Sequence, residues 1–138
     1  MKILLAFLLS FGLCNPLFAQ SQLTVVVKGT KNAKGNIRVG IFKDDKTFLK
    51  EAVYGKIVEA REGEVAVVID VPSGKYGVSV IHDENGNDKL DSNFFGIPKE
   101  GFGFGNDAMG TFGPPSFEKA SITVQTEKLS ITINMRYL

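Results

Sequence analysis

The chain is poor in the residues on which most small catalytic sites depend. Its 138 residues include one cysteine, Cys14, one histidine, His82, and no tryptophan. The residues needed for a hydrolytic triad, for zinc catalysis or for nucleotide chemistry are therefore incomplete. A Gly-x-Ser-x-Gly elbow and a phosphate-binding glycine loop are absent from the sequence as well. The Gly-x-Gly pairs of residues 101–105 do not open a helix after a strand, so they are not a dinucleotide fingerprint. We expect a protein that is not an enzyme.

Long hydrophobic runs are also missing, apart from residues 3–13. With Lys2 before this run and Ala19 after it, residues 1–19 have the order of a secretory signal peptide. The run is too short to span a bilayer, so we expect no transmembrane segment and an exported protein, periplasmic or extracellular. A lipoprotein cleaved before Cys14 is the competing interpretation, but the bulky Leu13 precedes that cysteine. After cleavage at Ala19, the chain would have no thiol and no disulfide.

Charge of one sign is not in excess. The chain has 16 basic and 15 acidic residues, and loss of Lys2 with the leader makes the counts equal. No basic stripe stands out, and nucleic acid and anionic membranes are recognised through clustered Lys and Arg. We therefore expect no nucleic-acid partner.

Residues 20–138 are enough for a single domain with a hydrophobic core. Apolar residues alternate with other residues in several short segments, a period of two that is typical of half-buried strands. The clearest inward-facing sets are Leu23, Val25 and Val27; Ile37, Val39 and Ile41; Val65, Val67, Ile69 and Val71; Tyr76, Val78, Val80 and His82; and Leu129, Ile131, Ile133 and Met135. This pattern predicts an all-β fold, an antiparallel β-sandwich of six to seven strands, Ig-like or transthyretin-like.

Three local features complete the predicted fold. Asp44 and Asp45, followed by apolar residues three and four apart, predict one short capped helix that ends at Gly55. Ile122 and Val124 are expected to lie on the hairpin partner of the last strand, with the turn at Thr126-Glu127. The turn of residues 72–76, Pro-x-Gly-x-Tyr, resembles the turn of transthyretin-like and carboxypeptidase-regulatory-like sandwiches, in which the tyrosine hydroxyl bonds nearby backbone.

The acidic loop, residues 83–91, is the part of the chain that no generic fold requires. Side-chain oxygens recur at every second position, the spacing with which a loop wraps around Ca²⁺. The predicted ligands are Asp83, Asn85, Asn87, the carbonyl of Lys89, and Asp91. Asp88 stands where the calcium-loop turn prefers glycine, and Phe94 stands where a bidentate glutamate normally closes the shell.

A further oxygen would have to come from Glu100, Asp107 or Glu118. With only two obligatory carboxylates we expect weak calcium affinity, with a Kd of roughly 10⁻⁴ to 10⁻³ M. The alternative is a metal-free turn, because Asn, Asp and Gly also favour tight turns in which side chains bond their own backbone.

The aromatic segment, residues 94–117, holds six of the chain's 11 phenylalanines, interleaved with glycines. One interpretation is a flexible aromatic surface for a protein, peptide or glycan, with Phe102, Phe104 and Phe112 as candidate binding residues. The other is that Phe94, Phe95, Phe102 and Phe104 turn inward and cover one end of the sandwich. We expect inward packing for most of the rings.

His82 shares a strand face with three apolar residues. This position favours a histidine at the edge of the core, bonded to backbone or to a loop carboxylate, over a catalytic base or a metal ligand.

The most specific motifs of the chain are His82-Asp83, Asn85, Asn87, Lys89-Leu90-Asp91, Asn93, Gly96-Ile97-Pro98, Glu100-Gly101 and Phe112-Gly113-Pro114-Pro115. With these motifs the chain closely resembles the bacterial family known as domain of unknown function 2141, over residues 23–138. The resemblance implies that the family usually has glycine at the position of Asp88 in this chain. The resemblance implies an exported bacterial β-sandwich without assigned catalysis, and it marks the acidic loop as a family hallmark.

Three functional hypotheses follow. The first is an exported, non-enzymatic module in which the acidic loop, with Ca²⁺ bound, braces the aromatic segment as a binding surface. The second is a metal-free periplasmic protein-interaction domain. The third is a small hydrolase that uses Asp83 or Asp91 with His82, and it requires these groups to converge in an open pocket.

Overall fold

The computed structural model describes residues 20–125 and 127–138, which form eight strands in two packed sheets. The predicted signal peptide of residues 1–19 lies outside the described residues. In the part of the chain that is described, no helix has both the length and the apolar character needed to cross a membrane. The strands are β1 (Gln20–Thr30), β2 (Asn36–Phe42), β3 (Tyr54–Glu59), β4 (Gly63–Pro72), β5 (Gly74–Asp83), β6 (Gly101–Phe104), β7 (Ser121–Val124) and β8 (Leu129–Asn134).

The smaller sheet has the strand order β4-β1-β8. β1 pairs antiparallel with β4, placing Leu23 opposite Ile69, and parallel with β8, placing Leu23 opposite Leu129. The all-β sandwich prediction is confirmed, but one strand pair is parallel and there are eight strands. The predicted hairpin between β7 and β8 does not form. β8 joins the smaller sheet instead, where it lies parallel to β1, while β7 joins the larger sheet.

The larger sheet has the order β3-β2-β5-β6, and β7 pairs with the beginning of β5. The neighbouring strands in this sheet are antiparallel. β6 pairs with the last residues of β5, with Ile81 opposite Phe102 and Ser79 opposite Phe104. On its other side, Phe102 exchanges two backbone hydrogen bonds with Arg136, just beyond β8, so β6 connects the two sheets along one side of the sandwich.

The main core lies between the sheets, where the predicted inward-facing sets meet. Leu23, Val25, Ile37 and Val80 are fully buried or nearly so, and they pack in one cluster with Ile133. The period-two pattern predicted these residues because alternate side chains of a strand point to opposite faces of the sheet.

A second cluster, here called the outer aromatic layer, covers the opposite face of the larger sheet. Its members are Phe42, Phe48, Phe102, Phe104, Phe117 and Ala120, with Leu90 and Met109 packed against them. Gly77 makes room for it, because a Cβ there would lie 2.9 Å from the ring of Phe117 and 3.0 Å from that of Phe48. Since β5 alternates, Val78 and Val80 face the main core while Gly77 and Ser79 face this layer.

The predicted short helix after β2 does not form. Asp44 caps the turn as expected, with its carboxylate accepting the backbone N–H of Thr47 at 2.8 Å. The chain then leaves helical geometry, because Leu49 has a left-handed φ of 60°. The described residues contain one 3-10 turn, Gly105–Asp107, and no helix in the predicted place.

The tyrosine expected at the turn between β4 and β5 makes its predicted bond. The hydroxyl of Tyr76 donates to the carbonyl of Pro72 at 2.8 Å. Burial raises the pKa of this hydroxyl above its usual range, so it remains a donor. The role of Tyr76 is therefore structural.

Candidate functional site

The acidic loop begins at the buried end of β5. Asp83 is fully buried, and its two carboxylate oxygens accept the backbone N–H groups of Asn87, at 3.2 Å, and of Asp88, at 2.8 Å. These bonds turn the chain back over Asp83, since a carboxylate that accepts several N–H groups fixes the backbone around it.

Asp88 takes the backbone conformation that a glycine would take. Its φ is 65°, in the left-handed region that Asp tolerates better than most residues. Its carboxylate lies 2.5 Å from a guanidinium nitrogen of Arg38 on β2. This ion pair is largely exposed and contributes roughly 0–1 kcal/mol, but it fixes the direction of the loop relative to the larger sheet.

Asp91 is the point at which the polar side chains of the loop converge. One carboxylate oxygen accepts the side-chain amide of Asn85 at 2.6 Å, and the other accepts that of Asn87 at 2.7 Å. The Asn87 bond first, and the Asn85 bond second, hold the pKa of Asp91 below its usual range. Asp91 is thus a carboxylate whose charge is stabilised by two neutral amides.

Lys89 enters this arrangement through its backbone. Its N–H donates to the side-chain oxygen of Asn87 at 3.1 Å. The structure therefore brings together four of the predicted ligands, Asp83, Asn85, Asn87 and Asp91, and places Lys89 beside them. Within residues 20–125 and 127–138, no three His, Cys, Asp or Glu side chains are grouped as metal ligands, so a cation here would also need the amide oxygens.

Of the three acids considered as a further oxygen ligand, only Glu100 lies beside the loop. Its carboxylate accepts the backbone N–H of Asp91 at 3.4 Å, and the residue is 5% exposed. Asp107 instead accepts both the backbone and side-chain N–H groups of Asn134, and Glu118 pairs with Lys75. All three acids were equal candidates from the sequence, because their positions along the chain do not show which of them returns to the loop.

Glu100 lies in a buried and negatively charged environment. Burial, together with the charges of Asp91 and Asp83, raises the pKa of Glu100 above its usual value of 4.5. The folded protein then holds this proton more tightly than the unfolded chain does. The resulting contribution to stability is complete below pH 4.5 and is lost as the pH rises through the raised pKa.

We therefore expect the urea midpoint of the calcium-free protein to fall relative to that of Glu100→Gln as the pH rises from about 4 to 7. The glutamine keeps the shape of the side chain but cannot ionise, so it serves as the reference at each pH. Parallel pH profiles for the two proteins would show that Glu100 does not carry this effect.

A tight turn connects the acidic loop to the aromatic segment. The side-chain oxygen of Asn93 accepts the backbone N–H groups of Phe95, at 2.9 Å, and of Ile97, at 3.0 Å. Phe94 and Phe95 lie on this turn and are 97% and 83% exposed. The prediction that these two rings turn inward is wrong, because the Asn93 turn leaves both of them exposed to solvent.

The candidate binding phenylalanines divide into two kinds. Phe102 and Phe104 on β6 are 5% and 7% exposed and belong to the outer aromatic layer, as the inward-packing interpretation expected. Phe112 is fully exposed. Only Phe112 presents its whole ring to a partner, while Phe102 and Phe104 contribute the floor of a cleft.

That cleft lies on the outer face of the larger sheet and has a volume of about 820 Å³. The acidic loop and the Asn93 turn contribute Leu90, Phe95 and Ile97, and the far end of the aromatic segment contributes Met109 and Phe112. Leu90, Ile97 and Met109 were not predicted as site residues. Their common signal is only that each is an apolar residue in a polar or glycine-rich stretch.

His82 is a structural residue, in agreement with the sequence-based expectation. It is fully buried, and its Nε2 lies 2.7 Å from the carbonyl of Lys34, which can only accept a hydrogen bond. Its Nδ1 therefore accepts the hydroxyl proton of Tyr137, at 2.7 Å. The same hydroxyl oxygen accepts the N–H of Lys31, so these bonds tie the end of the chain to the turn before β2.

Comparison with known proteins identifies a family but no characterised relative. Residues 25–132 match the family described as "Uncharacterized protein conserved in bacteria (DUF2141)". No curated protein and no solved structure matches the chain. The predicted family resemblance is confirmed, whereas the transthyretin-like resemblance is not.

Proposed function

Because the chain belongs to the DUF2141 family of bacterial proteins, whose description names no activity, we infer its function from the site itself. We propose that it is an exported, non-enzymatic binding module. In this proposal the acidic loop binds Ca²⁺ and thereby braces the aromatic segment, which lines the cleft and presents the binding surface.

The observation that carries the proposal is the double role of Asp91. Its side chain receives the two loop amides, while its backbone N–H and carbonyl bond Glu100 and Lys99 on the way to β6. The Lys99 N–H to Asp91 carbonyl distance is 2.7 Å, and Ser92 and Pro98 form a bridge beyond it. A ligand that fixes Asp91 therefore also fixes one wall of the cleft.

The donor set suits a hard cation. Asp91 offers carboxylate oxygens, with the charges of Glu100 and Asp83 nearby, and the loop asparagines would add amide oxygens. Calcium prefers oxygen ligands of these kinds. Asn85 and Asn87 now point their amide nitrogens at Asp91, while their amide oxygens accept the backbone N–H groups of Asn87 and Lys89. Half a turn of each amide would present its oxygen to a cation, and these two backbone bonds would be given up in exchange. A cation would also offset the repulsion between the charge of Glu100 and those of Asp91 and Asp83.

The geometry gives no support to the hydrolase hypothesis. His82 and Asp83 are fully buried, and both ring nitrogens of His82 are engaged in hydrogen bonds. A general base must reach the proton that it abstracts, and neither group faces the cleft. We therefore retain the non-enzymatic proposal, with the leader-like residues 1–19 supporting export.

The test is thermal unfolding of the protein in 10 mM calcium and in excess chelator. At a calcium concentration of ten times Kd, linkage predicts a stabilisation of about 1.4 kcal/mol, which corresponds to a rise in Tm of about 4 °C. Hydrogen exchange at the N–H groups of Asp91 and Lys99 should slow in calcium if the cation braces the segment. Asp91→Asn should abolish both effects, whereas the matched control Asp70→Asn, on the exposed face of β4, should retain them.

A Tm that does not change in 10 mM calcium would refute the cation site and leave the metal-free interaction domain. A rise in Tm without slower exchange at Lys99 would retain the cation but refute the bracing role. An equal rise in the Asp91→Asn variant would place the cation elsewhere in the chain.

A further inference from the structure

The cleft has the size and lining of a small-molecule site. Its volume of about 820 Å³ falls within the range of roughly 300–1,000 Å³ that is usual for ligand pockets. Phe102 and Phe104 form the floor, and Leu90, Ile97 and Met109 lie at its sides. Such a lining favours an apolar ligand body, because each CH₂ group that leaves water for this surface strengthens binding.

One cation interrupts this apolar lining. Among the described residues, Lys89 has the only charged side chain that lines the cleft, and it takes part in no ion pair. The other polar side chains at the cleft are hydroxyls, those of Ser79, Ser92 and Thr111. The charge of the lining therefore complements a ligand with one anionic group.

Exposed rings stand at the rim. Phe95 and Phe112 both line the cleft and are 83% and 102% exposed, so a ligand there would remove apolar surface from water that the protein alone leaves uncovered. Contiguous exposed apolar surface of this kind marks binding sites in soluble proteins. The apolar floor, the exposed rings and the cationic side chain together suit a ligand with an apolar body and one anionic end.

We propose that the cleft binds an amphiphile with a single anionic head, of the chemical class of a medium- or long-chain carboxylate. The hydrocarbon chain lies on Phe102 and Phe104 between the two walls, and the carboxylate lies at Lys89. The inference rests on the proposed function only in that it takes this cleft as the binding surface. It does not require calcium.

The experiment uses a fluorescent probe of this class, 11-(dansylamino)undecanoic acid, below its micellar concentration. We expect saturable binding of one probe per protein, with an increase in dansyl fluorescence as the probe leaves water. Dodecanoate should displace the probe, whereas dodecyltrimethylammonium, with the same chain and the opposite charge, should require about tenfold higher concentration.

Variants separate the two ends of the ligand. Lys89→Met should weaken dodecanoate binding by about three- to tenfold and should not weaken binding of the ammonium compound, because the repulsion by Lys89 is removed. Phe112→Ala should weaken both compounds by about tenfold through lost apolar contact. Ile57→Ala, which removes a half-exposed apolar side chain from β3, is the matched control and should change neither.

Equal affinity for the two detergents, or an unchanged dodecanoate affinity in Lys89→Met, would overturn the proposal. Binding to neutral phosphatidylcholine vesicles without binding of the monomeric probe would overturn it in favour of a membrane surface. Probe binding in chelator would uphold this inference even if calcium fails to stabilise the protein. Calcium stabilisation without probe binding would overturn this inference and leave the cation site standing.

Discussion

Replacement of Gly35 by alanine is expected to lower the free energy of unfolding by at least about 3 kcal/mol. Gly35 has a left-handed φ of +66°, which costs an alanine energy in any surroundings. In addition, a Cβ there would lie 1.9 Å from the carbonyl oxygen of Asp83. The Cβ position is fixed by the backbone of residue 35, and the carbonyl oxygen belongs to the backbone of Asp83, so no side-chain rotation can relieve the clash. Either the turn before β2 or the start of the acidic loop must move.

Gly63→Ala is the matched control. Gly63 has a φ of +90°, but no atom lies within 4 Å of the position that its Cβ would take. We expect a cost of about 1–2 kcal/mol from the backbone conformation alone. The difference between the two variants in urea unfolding then measures the contact between Gly35 and Asp83. Equal losses would mean that the start of the acidic loop does not depend on this contact.

Phe102→Ala is expected to lower the free energy of unfolding by about 3–5 kcal/mol. The ring is 5% exposed and packs in the outer aromatic layer with its centroid 6.0 Å from that of Phe104. Removal of the ring takes away buried apolar surface and leaves a cavity on the outer face of the larger sheet. The loss should be visible in both thermal and urea unfolding.

Phe112→Ala provides the comparison, with the same substitution in the same segment. The ring of Phe112 is fully exposed, so its removal should change stability by no more than about 0.5 kcal/mol. A similar loss in both variants would show that Phe112 packs against the protein in solution. A small loss in both would show that the outer aromatic layer contributes little to stability.

The strands could be predicted from the sequence because their signal is local. Leu23, Val25 and Val27 alternate with other residues, and a strand places alternate side chains on opposite faces, so the buried set follows from spacing alone. The partners of the strands could not be predicted in this way. Ser121–Val124 carries no mark that selects β5 over the nearby β8, because pairing depends on which surface remains uncovered after the other strands have assembled.

The helix prediction was wrong for a related reason. Asp44 gives a correct capping signal, but whether the chain continues as a helix depends on packing. In the structure, Phe48 joins the outer aromatic layer, and Leu49 takes a left-handed conformation just after it. That layer is not visible as a pattern within residues 44–53.

Part of the site could also be predicted. The convergence of Asn85 and Asn87 on Asp91 follows from a spacing of every second residue in one loop. The selection of Glu100 over Asp107 and Glu118 depends on where β6 returns the chain. Likewise, Phe94 and Phe102 are the same residue type in the same segment. Phe94 is exposed because it lies on the Asn93 turn, whereas Phe102 is buried on β6.

The pairing of β1 with β8 determines when the protein can fold. β1 is the centre of the smaller sheet, and its two neighbours are β4 and β8, the last strand of the described residues. During synthesis, the smaller sheet therefore cannot be completed until β8 has emerged, and until then β1 lacks one of its two neighbours.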